Sequence, residues 1–350
     1  MSTVKAVALP MAGLSTGVRR IPGRRSDGRR TRHVRTGLIY NPRATANIGR
    51  APLRALNVPC LVPQTREELT EALAEFARQE VGIVAVSGGD GTVRDVLTAL
   101  PQAYGDAPLP AVAIIASGRT DLIAGDVGAQ GREDELARIL AGAKNGTLRE
   151  VHRPVMRANR LIDSDGAIRR DVRGMLFGAA TFVYATELAQ GEVFATGASH
   201  ARAVAMTFAT VLKRVLLQGD PDGLRSGQPM RLRADGNPDL LGADARRALF
   251  LATTLRSGFV LGRDPFYAPA QPDELRYLDV AAPARGVARA IGALAIGKPW
   301  LAGRGWNAGA ARVLDLELES KVVIDGEVFE PLPGYPLRVV ADAPMTFVTP

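Results

Sequence analysis

Short apolar runs alternate with amphipathic stretches over the first part of the chain, from about residue 37 to 150. The apolar runs have the length and composition of buried strands, and the stretches between them repeat apolar residues at helical spacing. The predicted strands are 36–40, 81–86 and 111–115, and the predicted helices are 66–80, 93–100 and 133–144. Strands alternating with helices predict a mostly parallel sheet, with ligands bound at the carboxyl ends of its strands.

Local signals predict where these helices begin and end. Thr65 has the position of an N-cap, with Glu68 three residues later as in a capping box. Pro101 is expected to end the second helix, because proline inside a helix removes a hydrogen bond and crowds the preceding turn. Asn145-Gly146 is expected to end the third helix, since glycine tolerates the left-handed conformation common there.

After residue 150 the pattern changes to short, often alternating runs separated by turn residues, which predicts antiparallel strands. The predicted strands are 151–158, 167–172, 230–234, 248–254, 275–280, 313–318, 321–324 and 337–341. Asp165-Gly166 and Asp325-Gly326 are dipeptides typical of β-hairpin turns. An apolar stripe over 201–218 predicts a helix packed on these strands, with contact to a membrane interface as the lesser alternative.

A glycine-rich turn after the second predicted strand is the strongest functional signal in the chain. Gly88, Gly89 and Gly91 let the backbone approach a polyphosphate without side-chain clash, and the helix start presents free N–H groups to an anion. Asp90 would repel bare phosphate, which favours a metal ion or a sugar hydroxyl beside it. The alternative from turn chemistry alone is an ordinary βα turn with an aspartate N-cap. A second glycine-bearing turn, at 116–128, follows the third predicted strand.

The net charge of +8 lies entirely in residues 1–36, where Lys5 and eight arginines face a single acid, Asp27. This segment mixes Arg, Gly, Ser and Pro without apolar periodicity, which predicts a disordered basic tail. Such a polycation favours an anionic membrane surface, although nucleic acid would attract it by the same physics.

Cysteine content and hydropathy exclude several classes of protein. Cys60 is the single cysteine, so an intramolecular disulfide framework is excluded, and its apolar neighbours favour a buried thiol over a nucleophile. No apolar run approaches the ~20 residues that span a bilayer, and residues 1–14 lack the features of a secretory signal. These observations predict a cytoplasmic protein that associates with membranes peripherally.

The order of these elements resembles the diacylglycerol kinase catalytic-domain family, which includes bacterial lipid kinases and sphingosine and ceramide kinases. The resemblance is collinear from about residue 36 to the C-terminus. Its motifs are Asn41-Pro42, Thr65, Ser87-Gly-Gly-Asp-Gly-Thr92, Gly118, Ala268-Pro269 and Val323-Ile-Asp-Gly-Glu327. The Gly-Gly-Asp-Gly-Thr element also occurs in NAD kinases and phosphofructokinases, whereas its pairing with a distant Asp-Gly-Glu hairpin is typical of lipid kinases.

The resemblance implies an α/β plus β architecture behind the tail at 1–36. A three-layer α/β nucleotide-binding domain would cover 37–150, and an antiparallel β-sandwich domain for the lipid substrate would cover 151–350. In the family the active site lies in the cleft between these domains, and the last strand often returns to the first of them.

The resemblance assigns the family's site residues to the matching positions of this chain. The residues implied to bind ATP are Asn41, Pro42, Arg43, Thr45, Thr65, Gly88, Gly89, Asp90, Gly91, Thr92, Gly118, Arg119 and Thr120. Asp90 is implied to act in catalysis through Mg²⁺, and Asp273 and Glu274 match the acids of a structural magnesium site. Asp325 and Glu327 match paired carboxylates, one of which serves as general base. A lipid hydroxyl is a poor nucleophile, so a carboxylate must take its proton as it attacks the γ-phosphate.

Several positions depart from the family pattern. Arg119 and Asp121 stand where the family has Thr and Asn, and Arg94-Asp95 replaces an Asn-Glu pair. Gly178 stands where the first long strand of the second domain usually has Asn, and 271–276 lacks the glycine of the family's Asp-Asp-Gly segment. Arg119 could still bind phosphate, because a guanidinium is a fork-shaped donor.

Three functions follow, and the first is an ATP-dependent kinase acting on diacylglycerol, a ceramide or a sphingoid base. The second is a catalytically weak lipid- or nucleotide-binding regulatory protein of the same fold. The third is a kinase for a soluble metabolite, of the NAD kinase type, which the C-terminal Asp-Gly-Glu and the basic tail disfavour. No specific nucleic acid partner is expected, and the sequence does not define an oligomeric state.

Overall fold

The structure is a computed structural model that describes residues 34–51, 58–131, 133–188, 226–242, 245–257, 263–298 and 303–350. Its helices are α1 Arg66–Arg78, α2 Asp90–Tyr104, α3 Leu122–Val127, α4 Glu135–Asn145, α5 Thr181–Leu188 and α6 Val287–Ala295. Its first eight strands are β1 Arg35–Tyr40, β2 Cys60–Leu61, β3 Val81–Gly88, β4 Ala111–Ala116, β5 Arg149–Ile162, β6 Ile168–Gly174, β7 Leu176–Ala180 and β8 Gln228–Pro229. The others are β9 Arg231–Ala234, β10 Arg246–Thr253, β11 Leu275–Ala281, β12 Trp306–Ala311, β13 Val313–Glu317, β14 Val322–Ile324, β15 Glu327–Pro331 and β16 Leu337–Thr349.

The N-terminal part of the sheet is parallel, in the order β2-β1-β3-β4, as the alternating pattern predicted. Alternate residues of these strands point to opposite faces. One face packs against α1, α2 and α3 around Phe76 and Leu97, and the other packs against α4 around Ile139. The carboxyl ends of β1, β3 and β4 lie at one edge, because Tyr40 pairs with Ser87 and Ser87 with Ile115.

The C-terminal strands are largely antiparallel and continue the same strand path. β16 pairs with β5 along most of its length and with β4 in parallel at Phe347, so it contacts strands of both halves. Strands β7, β10, β14 and β15 enclose a second core with β5, β13 and β16. The chain is therefore a mixed α/β protein with a large sheet and few helices, and the domain boundary near residue 150 stays a prediction.

Both predicted hairpin turns are confirmed. Ile162 pairs with Ile168 across Asp165-Gly166, and Ile324 pairs with Glu327 across Asp325-Gly326. Asp325 and Gly326 have φ angles of 45° and 83°, which is the left-handed conformation that a tight two-residue turn requires at both positions. The Thr65 N-cap is also confirmed, since the Glu68 N–H donates to Thr65 Oγ1 at 3.1 Å, although the Glu68 carboxylate accepts from the Gln64 N–H and not from that of Thr65 as a capping box requires.

The prediction that Pro101 ends the second helix is wrong. α2 starts at Asp90 and continues through Pro101 to Tyr104. Leu100 and Tyr104 are buried, and the Tyr104 hydroxyl donates to the Val81 carbonyl oxygen at 3.1 Å. Packing of this last turn against the sheet offsets the loss of one backbone donor. The helix ends instead at Gly105, which has a positive φ of 54°.

Some elements lack a periodic signal in the sequence. The Leu-Phe-Gly-Ala-Ala segment of β7 is buried throughout, so it shows no alternation of apolar and polar residues.

The predicted helix over 201–218 and nearly all of the predicted basic tail lie outside the described residues. Among the helices that the structure describes, none is long and apolar enough to cross a membrane.

Candidate functional site

The two glycine turns meet at the carboxyl edge of the parallel strands. A Cβ atom on Gly118 would lie 2.5 Å from the Gly89 Cα and 2.7 Å from Asp121 Oδ1, so only glycine permits this approach. The Ser117 N–H also donates to the Gly88 carbonyl oxygen at 3.1 Å. The turns are therefore one backbone unit, with Asp90 to Thr92 forming the first turn of α2.

Replacing Gly118 with alanine is expected to destabilise this unit, because the added methyl group meets backbone rather than a movable side chain. Overpacking typically costs about 1–3 kcal/mol, and thermal unfolding of the variant would show a lower Tm. Gly125→Ala is the matched control, since nothing lies within 4 Å of a Cβ there and alanine favours a helix by about 1 kcal/mol. Equal Tm values for the Gly118 variant and the wild type would contradict the close approach.

Asp90 binds the second glycine turn through its carboxylate. Oδ2 accepts from the Leu122 N–H at 3.1 Å and Oδ1 from the Ile123 N–H at 2.9 Å, so Asp90 caps the start of α3. The N-cap of its own helix is Gly89, which makes the ordinary aspartate N-cap interpretation wrong. Both carboxylate oxygens of Asp90 therefore accept a backbone N–H from the first turn of α3.

Asn41 connects β1 to the glycine turn, where its Nδ2 donates to Thr92 Oγ1 at 2.8 Å. Asn47, which the sequence analysis did not single out, is buried and donates from Nδ2 to the Asn41 carbonyl oxygen and to Ser87 Oγ, at 2.8 and 3.0 Å. A lone Asn in the loop after a strand is the only signal that could have identified it. These bonds hold the Asn41–Thr45 segment against the end of β3.

Other predicted ATP ligands lie around this edge. Arg119 is exposed on the second glycine turn beside the half-buried Thr120. Arg43 is also exposed and donates from Nη2 to Gln64 Oε1 at 3.0 Å, next to Thr65. Pro42 lies in the loop after β1, and Thr45 begins the short 3-10 helix Thr45–Asn47 that follows.

Asp325 occupies the turn between β14 and β15 and faces the start of β7. Its carboxylate accepts from the Met175 N–H at 3.0 Å and from the Leu176 N–H at 2.9 Å. Burial raises the pKa of Asp325 to about 7, and repulsion from Asp90 adds to the increase, whereas Arg94 and the two N–H groups oppose it. The structure thus brings Asp325 close enough to Asp90 for the two charges to interact.

Glu327, two residues later, is bound by two guanidinium groups. Arg66 Nη2 donates to its Oε1 and Oε2 at 2.6 and 2.7 Å, and Arg94 forms an ion pair with Oε2. Although burial disfavours the charge of Arg66, Asp95 and Glu327 raise its pKa. The Arg94 side chain is only 4% exposed and contacts the Phe329 ring.

The sequence analysis named neither Arg66 nor Arg94 as a site residue. Arg66 also pairs with Asp163, at 2.9 Å, in the β5–β6 turn. The position of Arg66 directly after a helix N-cap was a weak signal, and nothing in the sequence placed it beside Glu327. These two arginines connect the helices of the N-terminal half to the acidic hairpin.

Asp121 is a second carboxylate whose pKa is raised at this edge. Burial raises its pKa to about 6, Asp90 contributes to the increase, and the bond from the Gly118 N–H opposes it. Asp90 therefore lies close enough to both Asp121 and Asp325 to raise their pKa values by charge repulsion. A cation bound beside Asp90 would relieve this repulsion.

The predicted magnesium acids Asp273 and Glu274 lie in a different arrangement. Asp273 pairs with Arg312 at 2.7 Å, and Glu274 Oε2 accepts from the Gln271 N–H at 2.7 Å. Within the part of the chain that the structure describes, no group of three or more His, Cys, Asp or Glu side chains is placed to hold a metal ion.

Known proteins resemble this chain in sequence over residues 35–152 and in fold over most of its length. A family model, the diacylglycerol kinase catalytic domain, matches residues 35–152. The crystal structure of a diacylglycerol kinase from Bacillus anthracis str. Sterne has a TM-score of 0.51 and 16% identity, covering 92% of this chain and 98% of that one. A candidate diacylglycerol kinase from the same organism has a TM-score of 0.54 and 17% identity, covering 92% of this chain and 99% of its own.

At these identities the structural likeness establishes the fold. No match was found among curated proteins. The segment that the family model matches contains both glycine turns, the Asn41 loop and the Asp90 carboxylate. Residues 35–152 of this chain match the diacylglycerol kinase catalytic domain, and the fold of the chain is similar to those two solved structures.

Proposed function

We propose that this protein is a kinase that transfers the γ-phosphate of ATP to a lipid hydroxyl group, on diacylglycerol, a ceramide or a sphingoid base. The observation that carries the proposal is Asp325, a carboxylate with a pKa raised to about 7 that lies close to the glycine-turn acid Asp90. A general base is most effective when its pKa is near the working pH, since it is then both ionised and able to accept a proton.

The contacts favour Asp325 over Glu327 as the base. Glu327 accepts charged hydrogen bonds from Arg66 and Arg94, so both of its carboxylate oxygens are already engaged by guanidinium groups. The Asp325 carboxylate is held only by neutral backbone N–H groups among the hydrogen bonds described. Glu327 then acts by holding α1 and α2 against the hairpin that carries the base.

The two glycine turns suit the polyphosphate of ATP. A Cβ on Gly91 would meet only Arg94 Nη2, at 3.9 Å, and the positive end of the α2 dipole lies at Asp90. Arg43 and Arg119 are exposed cations at the same edge, and a guanidinium binds phosphate oxygens in a fork. Bound Mg²⁺ would neutralise charge on the transferring group, and Asp90 is the carboxylate placed to contribute a ligand to it.

Lipid as the acceptor rests on the family and on the basic tail, which together suit a substrate at an anionic membrane surface. Removing residues 1–33 is expected to reduce binding to anionic vesicles sharply while activity on a soluble short-chain lipid stays nearly intact. Binding of the full chain should weaken as salt rises, because the Debye length is already about 8 Å at ~0.15 M salt. Vesicle co-sedimentation at two salt concentrations measures both effects.

A variant whose tail keeps its length but has Gln at each Arg is the control for that truncation. If charge attracts the membrane, this variant should bind as weakly as the truncated chain. Equal binding by the full, truncated and neutralised chains would show that the tail has no part in membrane contact.

Incubating the purified protein with radiolabelled ATP, Mg²⁺ and a panel of lipids in mixed micelles tests the proposed reaction. Label in one lipid class supports a lipid kinase and identifies the acceptor. Label in none, with nucleotide binding retained, would favour the alternative of a regulatory protein of the same fold. Label in NAD would favour a kinase for a soluble metabolite.

A further inference from the structure

The turn at 271–274 closes around the guanidinium of Arg256. Arg256 Nη2 donates to the carbonyl oxygens of Gln271 and Glu274 at 2.9 Å each, and to that of Pro272 at 3.3 Å. Backbone carbonyl oxygens that converge on one point are a common way to bind a hard cation such as Ca²⁺. Here the point of convergence is a positively charged nitrogen of the chain itself.

The acidic side chains of this turn are committed elsewhere. Asp273 faces Arg312, in a pair whose side chains are more than half exposed, and Glu274 accepts from the backbone N–H of Gln271. A magnesium ion needs near-octahedral oxygen ligands at about 2.0–2.1 Å. Because the carbonyl oxygens of the turn already accept from Arg256, the residues present do not fit a divalent ion there.

Arg256 is itself anchored to the nucleotide-binding half. Its backbone N–H donates to Asp126 Oδ1 at 2.7 Å, and the Ser257 N–H donates to the same oxygen at 2.6 Å. Asp126 is buried in α3, and its Oδ2 pairs with Arg153 at 2.7 Å. Since Asp90 caps the other end of α3, a continuous set of bonds runs from the glycine turn to the 271–274 turn.

This arrangement places several cations close together. Burial lowers the pKa of Arg256, and repulsion from Arg276 and Arg153 lowers it further, while Asp126 and Glu274 oppose the decrease. A neutral side chain at position 256 would avoid this repulsion. The hydrogen bonds from the guanidinium to the three carbonyl oxygens offset this repulsion.

We propose that Arg256 is a built-in cation that takes the place of a divalent ion in the 271–274 turn. It keeps the turn closed in the absence of metal and couples the turn through Asp126 to α3. This inference is independent of the proposed reaction, because it concerns the contacts of Arg256 and assigns no catalytic step to them.

Hydrogen exchange of the full chain, with EDTA or with excess MgCl₂ or CaCl₂ and no nucleotide, tests the proposal. In the wild type, exchange of the Gln271 and Glu274 amides should not respond to either ion. In Arg256→Ala these amides should exchange about tenfold faster or more in EDTA, because a charged donor to three carbonyl oxygens is lost. Either ion should then restore part of the protection by occupying the emptied carbonyl site.

Arg312→Ala is the matched control, because it removes the other arginine at this turn from an exposed pair of small energetic value. It should exchange like the wild type and show no response to metal. If Arg256→Ala does not fold in EDTA, Arg256→Lys replaces it. The Gln271 and Glu274 amides of that variant should exchange faster than in the wild type but more slowly than in a turn with no hydrogen bonds. Metal-dependent protection in the wild type, or faster exchange in Arg256→Ala that neither ion slows, would overturn the proposal.

Discussion

Replacing Asp325 with asparagine is expected to lower kcat by about 10²–10⁴-fold, the usual loss when a general base is removed. Nucleotide affinity should stay near that of the wild type, because the role proposed for Asp325 is on the acceptor hydroxyl and not on ATP. Steady-state kinetics with the lipid identified by the labelling panel, and calorimetric titration with nucleotide, measure the two quantities. Wild-type turnover in this variant would exclude Asp325 as the base.

Glu327→Gln separates the base from its neighbour. Its effect on kcat should be smaller, but its Tm should fall, because Arg94 is buried and loses a charged partner. A larger loss of kcat in Glu327→Gln than in Asp325→Asn would reverse the assignment of the two carboxylates.

The pH dependence of the wild type provides a second test of Asp325 as the general base. Catalysis requires the ionised carboxylate, so kcat/KM should fall as pH drops through about 7, the raised pKa of Asp325. Stability changes in the opposite sense. The folded pKa lies above the unfolded value of 3.8, so the contribution of Asp325 to stability is lost as pH rises through about 7. The difference in Tm between Asp325→Asn and the wild type should therefore shift in favour of the variant as pH rises from about 5 to about 8.

Removing the carboxylate of Asp90 is expected to have the other large effect. Asp90→Ala loses both acceptors for the N–H groups that begin α3, and the loss of a cap typically costs about 0.5–2 kcal/mol. The variant should remain folded with a lower Tm and no measurable turnover. Asp90→Asn retains one acceptor oxygen, so it should keep more of the stability and still lose turnover if the charge is required.

Comparison of these two variants distinguishes a structural cap from a catalytic carboxylate. Full activity in Asp90→Asn would limit Asp90 to holding the two glycine turns together. If residual activity of Asp90→Asn can be measured, the acid limb of the pH profile of this variant should move to lower pH. The reason is that Asp90 contributes to the raised pKa of Asp325 by repulsion.

Elements with strong local signals could be predicted from the sequence alone. The parallel strands follow from apolar runs alternating with amphipathic helices, and the Asp325-Gly326 turn from the positive φ that its two residues accept. Packing overrode a local rule at Pro101, where a buried helical turn continues past a residue that should have ended it. β7 gave no signal because it is buried on both faces.

The sequence by itself determined the two glycine turns, their place at the ends of parallel strands, and the acidic hairpin. Tertiary structure alone decided how the carboxylates differ. Arg66 and Glu327 are 261 positions apart, and no local pattern specifies that they meet. Likewise, the pKa of Asp325 depends on burial and on the charges around it, which exist only after the strands and helices have packed. Residue type and spacing set the chemistry available to this chain, whereas long-range packing decides that the pKa of Asp325 is raised.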